Sequence, residues 1–440
     1  MHCGQLAPRA IISKIALLSS NNEVFFTYTC EVQAVLAAAA ADMQGVRIVS
    51  CHGSKNFNPQ KNYILNIIVN NKNIYIKNVQ LFLNVSINNI YKLQCKQWLE
   101  APKVVEATQL LAYYKEDSRI FSRFLKNLNF FLSQLSSSWE TQACSAAFVI
   151  FLLKKCYPQN TAAFRTTEAA FKILKKFFWG GRNELFSPGL HKNVTMLDYK
   201  NMYNNLLLGY FPVGEPTIIE CPPNMQEPGF YYIKVESNLE RPLLPQRKSS
   251  RVVFENGIFE GLFWIEEIQL FEELGGKILK IEYALVYPRL EACLADFGNF
   301  CLKKRNCGEP LEKLIYKNLA NQAFGLFGSH GKFNEQHWNI AISVVVASRA
   351  RILWYKQSTI FLSKKPSKIV YADTDSFFIV NASQEINVDP AIFNIEKYSV
   401  IIFFGKKKYI ALKHSGEVRR AGVASNVNIQ EAAALSYSFM

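Results

Sequence analysis

The feature that most constrains this chain is a short acidic segment enclosed by two apolar runs. Between Lys368 and Val380 the sequence reads Lys-Ile-Val-Tyr-Ala-Asp-Thr-Asp-Ser-Phe-Phe-Ile-Val. β-Branched and aromatic residues on both sides favour strands, and the polar residues between them favour a tight turn. The sequence therefore predicts a β-hairpin whose tip carries the carboxylates of Asp373 and Asp375.

Two carboxylates at one rigid tip repel each other unless a cation lies beside them. Mg²⁺ suits such a tip, because it binds one or two protein carboxylates and completes its coordination with water and substrate phosphates. The turn therefore indicates metal-assisted phosphoryl chemistry. A solvated acidic turn is the alternative for Asp-Thr-Asp alone, but Tyr-Ala-Asp-Thr-Asp-Ser between two apolar strands is a much rarer pattern.

The composition is typical of a folded protein that binds a polyanion. Of the 440 residues, 49% are hydrophobic and 19% are charged, which argues against disorder. Lys and Arg number 50 against 35 Asp and Glu, so the net charge is +15. Such an excess favours nucleic acid as a partner, because each neutralised phosphate releases counterions. A generally basic, solvated surface is the alternative.

Membrane and metal-cluster proteins are disfavoured. The longest apolar runs, Ala34 to Ala41 and Ala146 to Leu153, are far shorter than the ~20 residues that span a bilayer, so no membrane partner is expected. The 10 cysteines form no Cys-x-x-Cys pair, which predicts reduced thiols in an intracellular protein. Richness in Phe, Tyr, Asn, Ile and Lys is typical of an A+T-rich genome and favours mitochondria.

Tyr371–Ser376 matches the Y-x-D-T-D-S signature of family B DNA polymerases, and Met196–Asn204 resembles the D-x-x-S-L-Y-P motif of the same family. The resemblance implies that Asp198 ends a palm strand facing the acidic turn. Asp198 and Asp375 are then the ligands of two Mg²⁺ ions, with Mn²⁺ as an alternative, and Asp373 is a supporting catalytic carboxylate.

The same upstream motif implies a role for Tyr203. Its ring is expected under the incoming sugar, where it blocks a ribose 2′-hydroxyl, and a core tyrosine is the alternative. Asn201 and Asn204 stand where the family has Ser and Pro. Both departures concern the nucleotide pocket rather than the chemistry.

Lys317–Gly325, which reads Lys-Asn-Leu-Ala-Asn-Gln-Ala-Phe-Gly, resembles the fingers helix K-x-x-x-N-S-x-Y-G. Lys317 and Asn321 are four residues apart and share one helix face. The resemblance implies that Lys317 holds the triphosphate and that Asn321, Phe324 and Gly325 complete the nucleotide site. An isolated lysine on a solvated helix face is the alternative.

Two further segments imply contacts with DNA. Gly405–Tyr409 resembles the K-x-Y motif that contacts the primer–template, and Phe178–Gly181 resembles the Y-x-G-G linker that binds the template strand. A solvated charge run and an ordinary interdomain turn are the respective alternatives. The residues implied to bind DNA are Trp179, Gly180, Gly181, Lys407 and Tyr409.

Phe230–Gly276 resembles the corresponding stretch of polymerases from fungal, plant and algal mitochondrial plasmids, which belong to the protein-primed group. This resemblance implies template-dependent replication of a mitochondrial linear plasmid. The implied partners are primer–template DNA, deoxynucleoside triphosphates and a terminal protein whose hydroxyl side chain serves as primer. An insertion at about residues 220–290 is expected to grip that terminal protein.

The predicted fold is α+β: a right-hand polymerase palm and fingers at 178–410 with an exonuclease-like domain before it. That domain, at 61–177, is expected to be a degenerate ribonuclease H-like unit. Residues 411–440 are interpreted as the start of a short or missing thumb, and 1–60 have no assignment. Strands are predicted at Ile64–Val69 and Ile74–Ile76, with the clearest helices at 311–327 and 339–357.

Tyr113 and Asp117 fit the third exonuclease motif, Y-x-x-x-D, and a helix with a surface carboxylate is the alternative. The first two exonuclease motifs are not found, so no proofreading is expected. A catalytically inactive remnant that binds nucleic acid is the main alternative for the whole chain. A reverse transcriptase is a third, which the inserted Thr374 and the K-x-x-x-N helix disfavour.

Overall fold

The computed structural model describes residues 47–50, 64–69, 72–78, 145–249, 251–308, 310–329, 332–333, 336–363, 367–380, 388–424 and 427. Two compact units divide the chain: residues 1–155 with 300–323, and residues 156–299 with 324–440. The predicted exonuclease residues Tyr113 and Asp117 lie outside the described residues.

The described part of the chain mixes helices with strands. Its strands are β1 (Arg47–Ser50), β2 (Ile64–Val69), β3 (Lys72–Asn78), β4 (Arg165–Thr166), β5 (Asn183–Leu185), β6 (Gly189–Tyr199), β7 (Phe211–Val213), β8 (Thr217–Glu220), β9 (Gly229–Ser237), β10 (Gln246–Lys248), β11 (Arg251–Val253), β12 (Gly257–Trp264), β13 (Lys277–Val286), β14 (Arg289–Glu291), β15 (Lys332–Phe333), β16 (Gln336–Trp338), β17 (Lys368–Asp373), β18 (Ser376–Val380), β19 (Phe393–Gly405), β20 (Lys408–Lys413) and β21 (Val418–Ala421).

Its helices are α1 (Ser145–Cys156), α2 (Glu168–Lys176), α3 (Met202–Leu206), α4 (Ile265–Glu273), α5 (Ala295–Cys307), α6 (Pro310–Phe327) and α7 (Ile340–Leu362), with a 3₁₀ helix at Pro158–Phe164. None of these helices combines the length and apolar character needed to cross a bilayer. The predicted helices at 311–327 and 339–357 are confirmed, and the second continues to Leu362.

The first unit contains a small sheet of order β1-β3-β2. Both strands predicted there are present, and the second extends beyond Ile74–Ile76 to Lys72–Asn78. The same unit contains most of α5 and α6, which pack together through Phe300 and Tyr316, with ring centroids 5.3 Å apart.

The second unit is built on a seven-stranded sheet of order β21-β20-β19-β6-β18-β17-β5, in which every pairing is antiparallel. All five residues of β18 are buried. Phe377 stacks on Trp354 of α7 on one side, and Phe378 packs among the rings of Tyr371, Phe403 and Tyr409 on the other. Because both faces are covered, the strand is apolar from Phe377 to Val380 rather than alternating.

Helix α7 is the central helix of this unit, and 15 of its residues are buried. A helix that is apolar around most of its circumference belongs inside a large core. Before its first turn, the Asn339 side chain donates to the carbonyl oxygens of Ala163 and Pro212, both at 2.9 Å. These bonds fix the start of the helix against the 3₁₀ helix and β7.

The segment predicted as an insertion forms a four-stranded sheet, β12-β9-β13-β8, a two-stranded hairpin, β10-β11, and helix α4. In β9, Tyr231, Ile233 and Val235 are buried while the residues between them are partly exposed, so one face packs on the core. Arg241 joins this segment to α7 by donating to the hydroxyls of Ser358 and Thr359 at 2.7 and 2.8 Å.

Candidate active site

The predicted acidic hairpin is present. Strand β17 ends at Asp373 and strand β18 begins at Ser376. These two residues pair with each other, and Thr374 and Asp375 form the connection. On the next strand, β6, Asp198 lies directly opposite Ser376. The sheet therefore brings Asp198 to the same end as the acidic turn, as the sequence predicts.

The turn has an unusual backbone conformation. Thr374 has a φ of 59°, and the amide of Asp375 donates to the carbonyl of Asp373 at 2.7 Å. This bond closes a γ-turn with a positive central φ, which is costly for a β-branched residue. Strained backbone of this kind, worth about 1–3 kcal/mol, concentrates at active sites.

Two neighbouring segments hold the turn in this conformation. The amide of Thr374 donates to the carbonyl of Arg182 at 2.7 Å, and the amide of Tyr199 donates to the carbonyl of Asp375 at 2.8 Å. Gly181 lies so close that a Cβ atom there would be 2.4 Å from Cγ2 of Thr374. The Trp-Gly-Gly segment thus packs against the acidic turn.

The three carboxylates have different surroundings. Asp373 accepts from the Asn183 amide at 2.5 Å and lies 3.6 Å from Nζ of Lys407. Asp198 is half-buried and accepts from the Asn394 amide at 3.3 Å. Asp375 is also half-buried and lies at the tip of the hairpin. A nearby lysine thus balances the charge of Asp373.

Asp198 and Asp375 are a donor set that suits Mg²⁺. Among the described residues, no group of three or more His, Cys, Asp or Glu side chains could enclose a metal. Mg²⁺ does not need such a cage, since it commonly binds through one or two carboxylates plus substrate phosphates and water. Two carboxylates at the same end of the sheet meet that requirement.

Tyr203 lies on α3 beside the acidic turn. Its ring stacks on Phe324, with centroids 4.8 Å apart and planes 25° from parallel. Burial raises the pKa of Tyr203 to about 12, helped by the negative charges of Asp375 and Asp373, although a hydrogen bond with Thr374 opposes the shift. The hydroxyl is therefore neutral at physiological pH.

The two asparagines that depart from the family motif have structural explanations. Asn201 precedes α3 with a φ of 57°, a conformation that asparagine tolerates better than most residues. Asn204 is 1% exposed, and its amide donates to the carbonyl of Gly298 at 2.8 Å. Both residues shape the short helix that carries Tyr203.

The predicted fingers residues lie on α6. Lys317, Asn321 and Gly325 are all exposed and follow each other at intervals of four, so they form one face of the helix. Lys317 and Asn321 belong to the first compact unit, whereas Phe324 and Gly325 belong to the second. Phe324 is in ring contact with Tyr203, another predicted site residue.

A cleft of about 950 Å³ opens beside the acidic turn. Four cations contribute to its wall: Arg251 of β11 and the consecutive lysines at 406–408. Its lining residues are Gly181, Asn183, Leu185, Arg251, Val252, Phe254, Asp373, Thr374, Phe404, Gly405, Lys406, Lys407 and Lys408. A basic groove of this kind can hold a phosphate backbone.

The predicted DNA-binding residues divide between this cleft and the core. Gly181 and Lys407 line the cleft, and Gly180 is exposed. Trp179 is only 5% exposed. The ring of Tyr409 is partly buried and packs against the Phe378 and Phe403 rings.

Sequence reasoning missed two arginines of this region. Arg251 lines the cleft, and its only sequence signal is the basic run that includes Arg247 and Lys248. Arg182 is 3% exposed and forms an ion pair of 2.7 Å with Glu184. Its position directly after Gly-Gly was visible, but burial of a guanidinium cannot be inferred from one sequence.

Comparison with known proteins identifies the family of this chain. The family described as DNA polymerase type B, organellar and viral, matches residues 54–342. A "Probable DNA polymerase" of Podospora anserina is 23% identical over 225 residues. The match covers 50% of this chain and 19% of that protein, so this chain spans about a fifth of the length of its relative.

Solved structures show a similar fold. Phi29 DNA polymerase complexed with primer–template DNA and incoming nucleotide has a TM-score of 0.67 and 14% identity, covering 91% of this chain and 87% of that chain. The same polymerase with single-stranded DNA has a TM-score of 0.65 and 14% identity, covering 89% of this chain and 83% of that chain. The predicted resemblance to protein-primed family B polymerases is confirmed. Since the family match spans more than half of the chain, this protein belongs to the organellar and viral DNA polymerases of type B.

Proposed function

We propose that this chain carries the nucleotidyl-transfer centre of a DNA-directed DNA polymerase. The observation that carries the proposal is the pairing of β6 with β18, which sets Asp198 opposite Ser376 and beside Asp375. Bound by these two carboxylates, a pair of Mg²⁺ ions would stabilise the attacking and leaving oxygens of the displacement. Asp373, held by Asn183, keeps the turn in its conformation.

The nucleotide site is proposed to form around Tyr203. Its ring, backed by Phe324, offers a flat apolar surface for the sugar and excludes a 2′-hydroxyl by its bulk. A phenol is neutral at physiological pH, so Tyr203 adds no negative charge next to a triphosphate. Lys317 and Asn321, on the exposed face of α6, are proposed to bind the phosphates once the nucleotide is present.

The basic cleft is proposed to hold the primer–template. Lys406, Lys407, Lys408 and Arg251 line it, and cations along a groove bind a nucleic-acid backbone without regard to sequence. Protein priming with a terminal protein, an insertion that grips this partner, and replication of a mitochondrial linear plasmid are proposed on the motif resemblance. The family description as organellar and viral is compatible with them.

Primer extension tests the proposal. Purified protein with a labelled primer–template, deoxynucleotides and Mg²⁺ is expected to extend the primer, and Asp375→Asn is expected to lower the rate by several orders of magnitude. Asp389→Asn is the matched control, because Asp389 is exposed and its carboxylate accepts from the amide of Ala391. DNA binding without extension in the wild-type protein would instead favour the inactive, nucleic-acid-binding remnant.

A further inference from the structure

A buried ion pair lies behind the Trp-Gly-Gly segment. Arg351 of α7 and Glu267 of α4 are 2% and 0% exposed. The guanidinium donates from Nε and Nη2 to the two carboxylate oxygens, both at 2.6 Å, and Ser348 donates to the same carboxylate at 3.0 Å. This is the bidentate geometry in which an arginine fork matches a carboxylate.

The remaining nitrogen of Arg351 reaches the Trp-Gly-Gly backbone. Nη1 donates to the carbonyl oxygens of Trp179 and Gly180 at 3.1 and 2.9 Å. These two peptide groups therefore turn their carbonyl oxygens towards α7. Two carbonyls held by one buried guanidinium cannot rotate independently.

The same backbone then supports the acidic turn. Gly181 is in close contact with the Thr374 side chain, and the carbonyl of Arg182 accepts from the Thr374 amide at 2.7 Å. A continuous series of contacts thus runs from Glu267 through Arg351 and the Trp-Gly-Gly segment to the residue next to Asp375.

The net stability of the pair does not explain its presence. Removing two charges from water costs several kcal/mol per ion, and well-packed apolar residues often stabilise a core equally well. What apolar residues cannot do is donate to the two carbonyl oxygens of the linker. The distinctive contribution of the pair is therefore the conformation of the linker.

We propose that Arg351 and Glu267 are positioning residues that set the Trp-Gly-Gly segment and, through it, the turn that carries Asp375. The proposal rests on the proposed polymerase function. Neither residue contacts a reacting atom; Glu267 orients Arg351, and Arg351 orients the backbone. Removing a contact that holds the residues around a metal ligand typically lowers metal affinity or activity by about 10–100-fold.

The test replaces both charges together, with Arg351→Met and Glu267→Met in one protein, so that no unpaired charge remains buried. The matched control is Arg349→Met with Glu266→Met. This neighbouring pair joins the same two helices through bonds of 2.9 and 2.6 Å, but Arg349 lies over the Phe211 ring instead of reaching the linker. Thermal unfolding of both variants checks that they fold.

The first readout is amide hydrogen exchange in peptides covering residues 178–182 and 371–376. We expect faster exchange there in the Arg351/Glu267 variant and wild-type exchange in the control. The second is the Mg²⁺ concentration for half-maximal primer extension, expected to rise about tenfold in the first variant only. Wild-type values in that variant, or equal changes in both, would overturn the proposal.

A third variant keeps the test decisive if the double replacement does not fold. Arg351→Lys retains the charge beside Glu267 but offers one ammonium in place of a planar fork. It is expected to show the same faster exchange and higher Mg²⁺ requirement, and wild-type values would refute the proposal. If the wild-type protein fails to extend primers, the proposed function is wrong, whereas the exchange measurement still tests the contact with the turn.

Discussion

Gly181 shows how one residue can be required by a distant neighbour rather than by its own backbone. A Cβ there would lie 2.4 Å from Thr374, whereas a Cβ on Gly180 would meet nothing within 4 Å. Neither glycine has a positive φ. The motif resemblance places both glycines in a linker that binds the template strand, and the structure adds that Gly181 is needed for close packing against the turn.

Gly181→Ala is expected to lower the free energy of unfolding by about 1–3 kcal/mol, because the added methyl must displace the turn. Primer extension should fall as well, since Asp375 moves with Thr374. Gly180→Ala is expected to change stability by less than about 0.5 kcal/mol. Urea unfolding of both variants makes the comparison, and equal losses at the two positions would contradict this account.

Tyr203 gives a prediction about pH. Burial first, and then the charges of Asp375 and Asp373, raise its pKa to about 12, against a reference of about 10 for the unfolded chain. Its contribution to stability is therefore complete below about pH 10 and is lost as pH rises through about 12. Tyr203→Phe should lose less stability than the wild type over this window. Denaturant unfolding of both proteins at several alkaline pH values checks this. An identical decrease of the free energy of unfolding with pH in the two proteins would contradict it.

At this scale the sequence predicted which carboxylates matter but not their surroundings. The Asp-Thr-Asp motif identifies Asp373 and Asp375 directly. The contacts of Asp373 with Asn183 and Lys407 come from segments remote in the chain, and nothing in the local pattern predicts them. The distinction between a supporting carboxylate and a metal ligand therefore needs the structure.

Elements of secondary structure were predictable where their apolar pattern was long. The hairpin of β17 and β18 and the helix α7 follow from such patterns. The small insertion sheet was recognised as a segment, but its attachment to α7 depends on single arginines. Buried cations contribute no periodic signal, so these contacts could not be predicted.

Arg182 connects three elements at once. Its guanidinium donates to the carbonyl of Pro242 at 2.6 Å and lies between the rings of Phe254 and Trp354, at 4.3 and 4.2 Å from their centroids. Desolvation lowers its pKa, although Glu184 acts in the opposite direction. One side chain thus joins the linker, the insertion and α7.

Arg182→Lys is expected to lower the free energy of unfolding by about 2 kcal/mol, because an ammonium can neither stack between two rings nor make the same set of bonds. Arg247→Lys is the control, since Arg247 also lies over an aromatic ring, Trp179 at 5.3 Å, but is exposed. The free energy of unfolding of Arg247→Lys should stay within about 0.5 kcal/mol of the wild-type value. Guanidinium chloride unfolding measures the free energy of unfolding of both variants. Similar losses in the two would contradict the prediction that Arg182 contributes more to stability than an exposed arginine.

At the scale of the whole molecule, the effect of the net charge of +15 on ligand binding depends on where the charges lie on the surface. The cleft collects Arg251 and three consecutive lysines next to the acidic turn. Composition alone indicated a polyanionic partner, but it could not locate the binding surface. Charge concentrated in one groove is what steers a nucleic acid to a site.

Lys406→Ala and Lys408→Ala are each expected to weaken primer–template binding and to reduce the slope of log K against log salt concentration by about one. Lys172→Ala is the control, because Lys172 is exposed and pairs with Glu168 on α2, away from the lining of the cleft. Fluorescence anisotropy over a salt series gives the slopes. An equal reduction in the control would show that the cleft has no special part in binding.

The meeting of Asp198 with the acidic turn is a property of the whole sheet. Local patterns predict strands, but strand partners and register depend on contacts far apart in sequence. The motif resemblance supplied this pairing in advance, and the register of Asp198 with Ser376 agrees with it. The motif residues of the predicted exonuclease-like part, Tyr113 and Asp117, lie outside the described residues, so this prediction stays a prediction.

The central claim is that Asp198 and Asp375 share a pair of divalent ions. The most direct test is a crystal of the protein with primer–template DNA, an unreactive nucleotide analogue and Mn²⁺, in which anomalous scattering locates the metal. This account predicts two peaks about 3.5–4 Å apart, both within reach of the two carboxylates. Peaks at only one carboxylate, or none at the turn, would contradict it.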